Sequence, residues 1–557
     1  MELLKTSRLG ALAILTAAAL LRAQTPAPDL LISNGKIVTV DERFTIAQAL
    51  AIRGDRIVAV GSNSDMASLA GPNTRRIDLK GKTVIPGLID NHMHLLRAAT
   101  TWQRELRFDG VESRKQAVEM LRARVKAAGP QEWVYTIGGW THHQFAGDPR
   151  AFTREELDQI APDNPVALQE SYYKIYLNGK ALHIFGIEDN KPDPADFIKG
   201  SIQRDASGKP TGVIQGDIPA TRPVQARLPK VAPEQLEAST RSLIKDMNRV
   251  GLTSFGVPGC ITDVLDIFQK WKAQDQLNAR IFCIEGTAAG SPEQVDQTLR
   301  QVKGMKVFQG DPRIDTIFFG ESVYQPLHDP MFALKSAPSP EELALWGRIA
   351  TEVAQRGLAL HVHAELHNTI DAFLDQIESI NREHPIKNLR WTFAHLNQVN
   401  AAQLERMKQL GMYAAVHPWA VINGGIMHEG FGDGAYDMPP LRTIQNSGIQ
   451  WGLGTDGTAA NQTSPFMTLY FAVTGKMVGG TTVIHQTISR EDALIAHTRK
   501  NAYLVFQENN LGSIQPGKLA DLVVLDRDYL TIPPDQIKNI KPVMTMVGGR
   551  VVYDGGL

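Results

Sequence analysis

The 557-residue chain carries 58 Lys plus Arg against 59 Asp plus Glu, and its formal net charge of −1 gives no electrostatic reason for a nucleic-acid or acidic-membrane partner. Hydrophobic residues at 43% and charged residues at 21% exclude a disordered chain and supply apolar material for a large core. The length exceeds one ordinary domain but suits a large α/β barrel with a satellite, and the charge balance points to a small-molecule substrate.

Residues 1–23 read as a secretory signal peptide, with basic Lys5 and Arg8 followed by an apolar run from Leu9 to Leu21 and then Arg22-Ala23-Gln24. The run is shorter than the roughly 20 residues a permanent membrane helix needs, and Ala23 is a small residue suited to cleavage. An uncleaved anchor is the alternative. No cysteine directly follows the run to accept a lipid, so the expected location is periplasmic or secreted, with no stable membrane anchor.

From residue 24 to residue 85, β-rich runs alternate with turn signals: Leu30 to Val40, Ile57 to Gly61, and Lys82 to Gly87. Asn34-Gly35 predicts a hairpin. The pattern returns over 511–557, in Lys518 to Leu525 and Val543 to Tyr553. Neither end has enough strands to close a core alone. The two are expected to combine into one small β-sandwich domain, with the middle of the chain inserted between them.

That middle, residues 86–510, alternates short apolar strands with amphipathic helices, which predicts a parallel sheet and a (β/α)₈ barrel of the TIM type. The strands expected are Val84–His94, Gly251–Val257, Arg280–Glu285, Asp315–Glu321, Leu358–Ala364, Trp391–His395, Met412–Val416 and Trp451–Asp456. Before the fifth strand, Ser339 can cap a helix, Pro340 suits its first position, Glu342 completes a capping box and Gly357 can end it. The stretch from about 110 to 230 is too long for one connection and reads as an insertion over the barrel mouth. Cys260 and Cys283 could pair in an oxidising compartment, but are expected as unpaired core thiols without a function.

Chemistry concentrates at the strand ends. In Asp90-Asn91-His92-Met93-His94 the two histidines lie two apart on a strand, so they project together and can share one metal ion. Alone, such a pair is weak. Support comes from His361 and His363, from His395 and from Asp456, each at or near the C-terminal end of a predicted strand, the face where barrel active sites form. Imidazole and carboxylate donors with open positions suit a catalytic divalent ion, zinc by donor type.

These motifs, in this order, resemble the amidohydrolase superfamily, and within it amidohydrolase family 3 and the branch that includes N-substituted formamide deformylases. The resemblance rests on Asn34-Gly35-Lys36-Ile37, Pro86 to His94, Gly138-Gly139-Trp140, Leu453-Gly454-Thr455-Asp456, and Leu511 to Leu522. It implies a barrel, a composite β domain, hydrolytic chemistry, and His92, His94, His363, His395 and Asp456 as metal-site residues. The family often carries a carboxylated lysine on the fourth strand, where this chain reads Phe318-Phe319-Gly320-Glu321. Either Glu321 supplies the bridging carboxylate or the site holds one metal. His361 shares a strand face with His363; alignment favours His363.

The expected mechanism is hydrolysis of a C–N bond in an amide, formamide or cyclic amide by metal-activated water. Asp456 would move the water's proton to the leaving group, and His395 would bind a second metal or hydrogen-bond the oxyanion. Trp140, His143 and Tyr173, with His142, Gln144, Tyr172 and Tyr176, are candidates for an aromatic substrate pocket. The alternatives are ester or lactone hydrolysis at the same site, or a degenerate homologue that binds without turnover. No Gly-x-Ser-x-Gly occurs to place a serine nucleophile. Homo-oligomerisation is compatible with the sequence.

Overall fold

The computed structural model describes residues 26–260, 262–286, 288–330 and 336–557. The expected signal peptide, residues 1–23, lies outside them. Among the described residues no helix is long and apolar enough to cross a membrane.

Eight parallel strands form the central sheet: β1 (Leu88–Asp90), β2 (Leu252–Pro258), β3 (Arg280–Glu285), β4 (Ile314–Glu321), β5 (Leu360–Ala364), β6 (Thr392–His395), β7 (Tyr413–Val416) and β8 (Gln450–Leu453). Each pairs with its sequence neighbour from β1 to β8, and helices cover the outside. This is the (β/α)₈ barrel. Between β8 and β1 no backbone ladder forms. Two backbone hydrogen bonds just beyond the strands, Asp456 N to His92 O and His94 N to Gly457 O, and side chains close the seam: the Asp90 carboxylate accepts from Thr455 N at 3.0 Å and Thr455 Oγ1 at 2.6 Å, while Asn501 Nδ2 donates to both Ile89 O (2.7 Å) and Leu453 O (2.6 Å). Burial pushes the Asp90 carboxyl up to about 6 against these donors. The helix before β5, Pro340–Gln355, has the predicted capping box of Ser339 with Glu342, and Gly357 beyond it adopts a left-handed φ.

Both chain ends contribute to a six-stranded sheet in which Leu522–Leu525 pairs with Thr83–Pro86. A four-stranded sheet of N-terminal strands packs on it through Leu30, Ile32, Leu50, Val84, Leu522 and Met546. The predicted Asn34-Gly35 hairpin is not formed. Leu30–Ser33 belongs to the four-stranded sheet and Lys36–Val38 to the six-stranded one, so the turn passes the chain between sheets. Apolar residues on both flanking runs bury in one core between the sheets, which outweighs local pairing.

The inserted stretch builds a five-stranded sheet, ordered Ile202–Arg204, Pro210–Gln215, Lys174–Leu177, Val166–Glu170 and Val134–Ile137, with an apolar cluster on each face. It grips the loop after Asp456. Gly139 N donates to Ala459 O at 2.7 Å, and a Cβ on Gly138 would lie 2.2 Å from that same oxygen, so the backbone approach requires glycine.

Cys260 and Cys283 form a disulfide, correcting the expectation of free thiols. Their strands are neighbours: Gly259 N donates to Ile284 O, which turns Cys260 back onto β3 with a Cα–Cα distance of 5.6 Å. Cross-linking residues 23 apart restricts the unfolded chain by about 3 kcal/mol in the loop-entropy picture.

Candidate active site

The C-terminal ends of the strands converge on Glu321, the last residue of β4. His92 Nε2 lies 3.3 Å from Glu321 Oε2, while His363 Nδ1 and His395 Nε2 lie 3.2 and 3.0 Å from Oε1. Asp456 closes the ring from the β8 side, its Oδ1 being 3.4 Å from His94 Nε2 and 3.8 Å from His92 Nε2. All six side chains expected at the site, His92, His94, Glu321, His363, His395 and Asp456, therefore come together. His92 and His94 lie just past β1, which ends at Asp90, and Asp456 lies three residues past β8. His395 and Asp456 both hold left-handed φ values, 77° and 56°, a conformation that surrounding contacts must enforce in residues with a Cβ.

The electrostatics are those of a buried carboxylate ringed by imidazoles. Burial would raise the Glu321 carboxyl, but the surrounding imidazoles, His92 foremost, hold it well below its usual range. Burial would likewise lower His363, and contact with Glu321 instead raises it to about 9. Burial and His363 push His395 down to about 4, keeping it neutral.

His92 Nε2, His363 Nε2 and Asp456 Oδ1 are buried with no hydrogen-bond partner. Two triads, His92–His94–Glu321 and Glu321–His363–His395, have donor atoms within 4.8 Å of one another and share Glu321. Unpartnered imidazole nitrogens and buried carboxylates at such spacing are costly unless a cation lies among them, so these residues fit a divalent metal.

His361 was the alternative to His363 in the sequence, whereas Trp419 and His417 were not singled out there. His361, on the same face of β5 as His363, lies one layer deeper, its Nε2 3.0 Å from His92 Nδ1, so it orients His92. Trp419 Nε1 donates to Asp456 Oδ2 at 3.0 Å, and His417 Nδ1 lies 2.9 Å from His395 Nδ1. Their position directly after the predicted seventh strand was the available signal.

A cavity of about 850 Å³ opens over the cluster, its walls including Tyr172, Arg222, Gln325, His328 and Trp419. Of the seven residues proposed from sequence for the pocket, Tyr172 lines it and the other six, Trp140, His143 and Tyr173 among them, do not. Trp140 is fully buried against Phe108, Phe145 and Phe152 in the insertion's core, because its indole donates inward to Thr136. His143 packs on Gly425 and faces Glu429, and the Tyr173 hydroxyl accepts from Gln215. Tyr172 holds the wall position and its neighbour Tyr173 does not, since the turn after Glu170 points adjacent side chains in different directions.

Barrel, seam and carboxylate–imidazole cluster define a hydrolase-type barrel with a candidate metal centre at its mouth. The model of the amidohydrolase family matches residues 75–553, and the chain belongs to that family. It is 27% identical over 553 residues to the N-substituted formamide deformylase of Arthrobacter pascens, covering 94% of this chain and 98% of that protein. Its fold resembles an uncharacterised metal-dependent hydrolase from Pyrococcus horikoshii OT3 (TM-score 0.62, 21% identity, 91% of this chain and 99% of the other). It also resembles a zinc-complexed atrazine chlorohydrolase from Arthrobacter aurescens TC1 (TM-score 0.53, 15% identity, 94% and 95%).

Proposed function

We propose that this chain is a metal-dependent amidohydrolase that cleaves the C–N bond of a small amide, formamide or cyclic amide. The observation that carries the reading is the pair of triads sharing Glu321 beneath the cavity. His92, His94 and Asp456 would hold one ion, His363 and His395 a second, and Glu321 would stand between them in place of a carboxylated lysine. Zinc suits the donors, and a fold relative carries zinc. When bound, such ions supply a hydroxide at neutral pH and polarise a carbonyl.

The chain's own residues do the rest. Asp456, its Oδ2 held by Trp419 and its Oδ1 free of hydrogen bonds, accepts the proton of the attacking water and returns it to the leaving nitrogen. Tyr172, whose buried hydroxyl stays protonated, and neutral His328 line the cavity where a substrate carbonyl would sit. The relationship to a formamide deformylase favours amides over the ester or lactone alternative. Export as a periplasmic or secreted enzyme is part of the same reading, supported by the Cys260–Cys283 disulfide, which suits an oxidising compartment.

Elemental analysis of purified protein, joined to a chromatographic screen of N-substituted formamides, acyl amides, cyclic amides and esters, tests the reading. Bound divalent metal with amide turnover is expected. Metal with no turnover of any amide would support the non-catalytic alternative. N-terminal sequencing of exported protein should find a start near Ala23.

A further inference from the structure

Beneath the candidate metal centre, a row of fully buried polar side chains runs from the barrel seam to His395: Asn501, Asn91 and His417. Its direction can be read from atoms whose roles are not adjustable. Asn501 faces the backbone carbonyls of Ile89 and Leu453 at 2.7 and 2.6 Å, and carbonyls only accept, so the amide group there must be the NH₂. Gly452 makes room for the other end; a Cβ there would stand 2.0 Å from Asn501 Oδ1. Asn501 Oδ1 therefore accepts, and its partner at 2.9 Å must be the Asn91 NH₂. That leaves Asn91 Oδ1 facing His417 Nε2 at 2.7 Å, so His417 must carry its proton on Nε2. A neutral His417 then offers a bare Nδ1, and the atom 2.9 Å away is His395 Nδ1, which must be the donor. The other acceptor near His395 Nδ1, Asp456 Oδ2, is farther off at 3.7 Å.

From this geometry we infer that Asn501, Asn91 and His417 form a one-way hydrogen-bond relay that fixes His395 in the Nδ1–H tautomer, so that its bare Nε2 faces Glu321. His395 Nε2 and Glu321 Oε1, 3.0 Å apart, are then two acceptors in contact, an arrangement that asks for a cation between them. The relay starts at the carbonyls that close the barrel. The side chain that joins β8 to β1 thus also sets which nitrogen a residue at the mouth presents. These three are positioning residues, and the inference rests on the reading of His395 as a metal ligand.

The test is long-range ¹H–¹⁵N correlation of histidine-labelled, chelator-treated protein, with metal titration followed by elemental analysis. His395 is expected as Nδ1–H and His417 as Nε2–H in the wild type, a result that needs no variant to fold. His417→Phe removes the acceptor; it should mix the His395 tautomers and weaken metal binding by roughly 10- to 100-fold, the usual effect of losing a ligand's orienting partner. His417→Gln can donate to Asn91 and accept from His395, and should restore both to within a few-fold of wild type. An Nε2–H His395 in the wild type, or His417→Phe folded with tautomer and metal affinity unchanged, overturns the relay. Failure of the wild type to bind metal despite an Nδ1–H His395 would overturn the metal-site reading and leave the relay standing.

Discussion

Two buried glutamates, one in the insertion and one at the barrel mouth, each sit among histidines but are built for different ends. Glu170, at the end of an insertion strand, accepts from His142 N and Nδ1 on one oxygen and from the Tyr176 hydroxyl on the other. Every neighbour of that carboxylate is a donor. Glu321 meets three imidazoles in a cluster that leaves His92 Nε2, His363 Nε2 and Asp456 Oδ1 without partners. A satisfied cluster braces a fold, whereas an unsatisfied one waits for a ligand. Glu365 falls between them: Oε2 accepts from Asn397 at 2.6 Å while Oε1 has no partner.

Removing each carboxylate should separate these roles. The largest effect is expected for Glu321→Ala, which should abolish measurable amide turnover and reduce bound metal to at most one ion per chain, because both triads lose a member. A variant with full metal content and near-native kcat would erase the contrast with Glu170. Asp456→Asn keeps an oxygen near the metal but removes the base; most metal should remain while kcat falls at least about 10²-fold. Elemental analysis beside steady-state kinetics decides it, and near-native kcat with metal in place would end the proton-shuttle role.

Glu170→Gln should do the reverse, leaving metal per chain unchanged while costing about 1–3 kcal/mol in urea unfolding, since charge-assisted bonds become neutral and the Tyr176 hydroxyl must give up its donor role to accept from the amide. Loss of metal in that variant would show that the two regions are not separable. The last test concerns Glu365, whose carboxyl burial pushes up to about 8, and its effect at any one pH step is small. A raised carboxyl pKa means the folded state holds the proton that the unfolded chain releases near 4.5, so its contribution is present at acid pH and is lost as pH rises toward 8. Chelated wild-type protein should lose no more than about 1.4 kcal/mol per pH unit from this group between pH 5 and 8, and Glu365→Gln should flatten that slope. Parallel Tm–pH curves for the two proteins would show that Glu365 is ionised throughout.

The parts of this protein that its sequence determines alone are those where neighbours along the chain set the outcome. The capped helix Pro340–Gln355 is one, since Ser339 and Glu342 satisfy each other's backbone within one turn. The eight apolar strands are another, because a parallel strand buried on both faces reads as an apolar run wherever it lies. Tertiary structure decided what local pattern leaves open. Asn34-Gly35 looks like a hairpin until two sheets compete for its flanks, and Trp140 looks like a pocket wall until three phenylalanines surround it. His361 and His363 share a strand face, and only depth in the barrel assigns one to His92 and the other to Glu321. The seam could not be read in advance at all: Asn501 and Asn91 stand 410 residues apart, and a hydrogen bond between them exists only once the barrel has brought its first and last strands together.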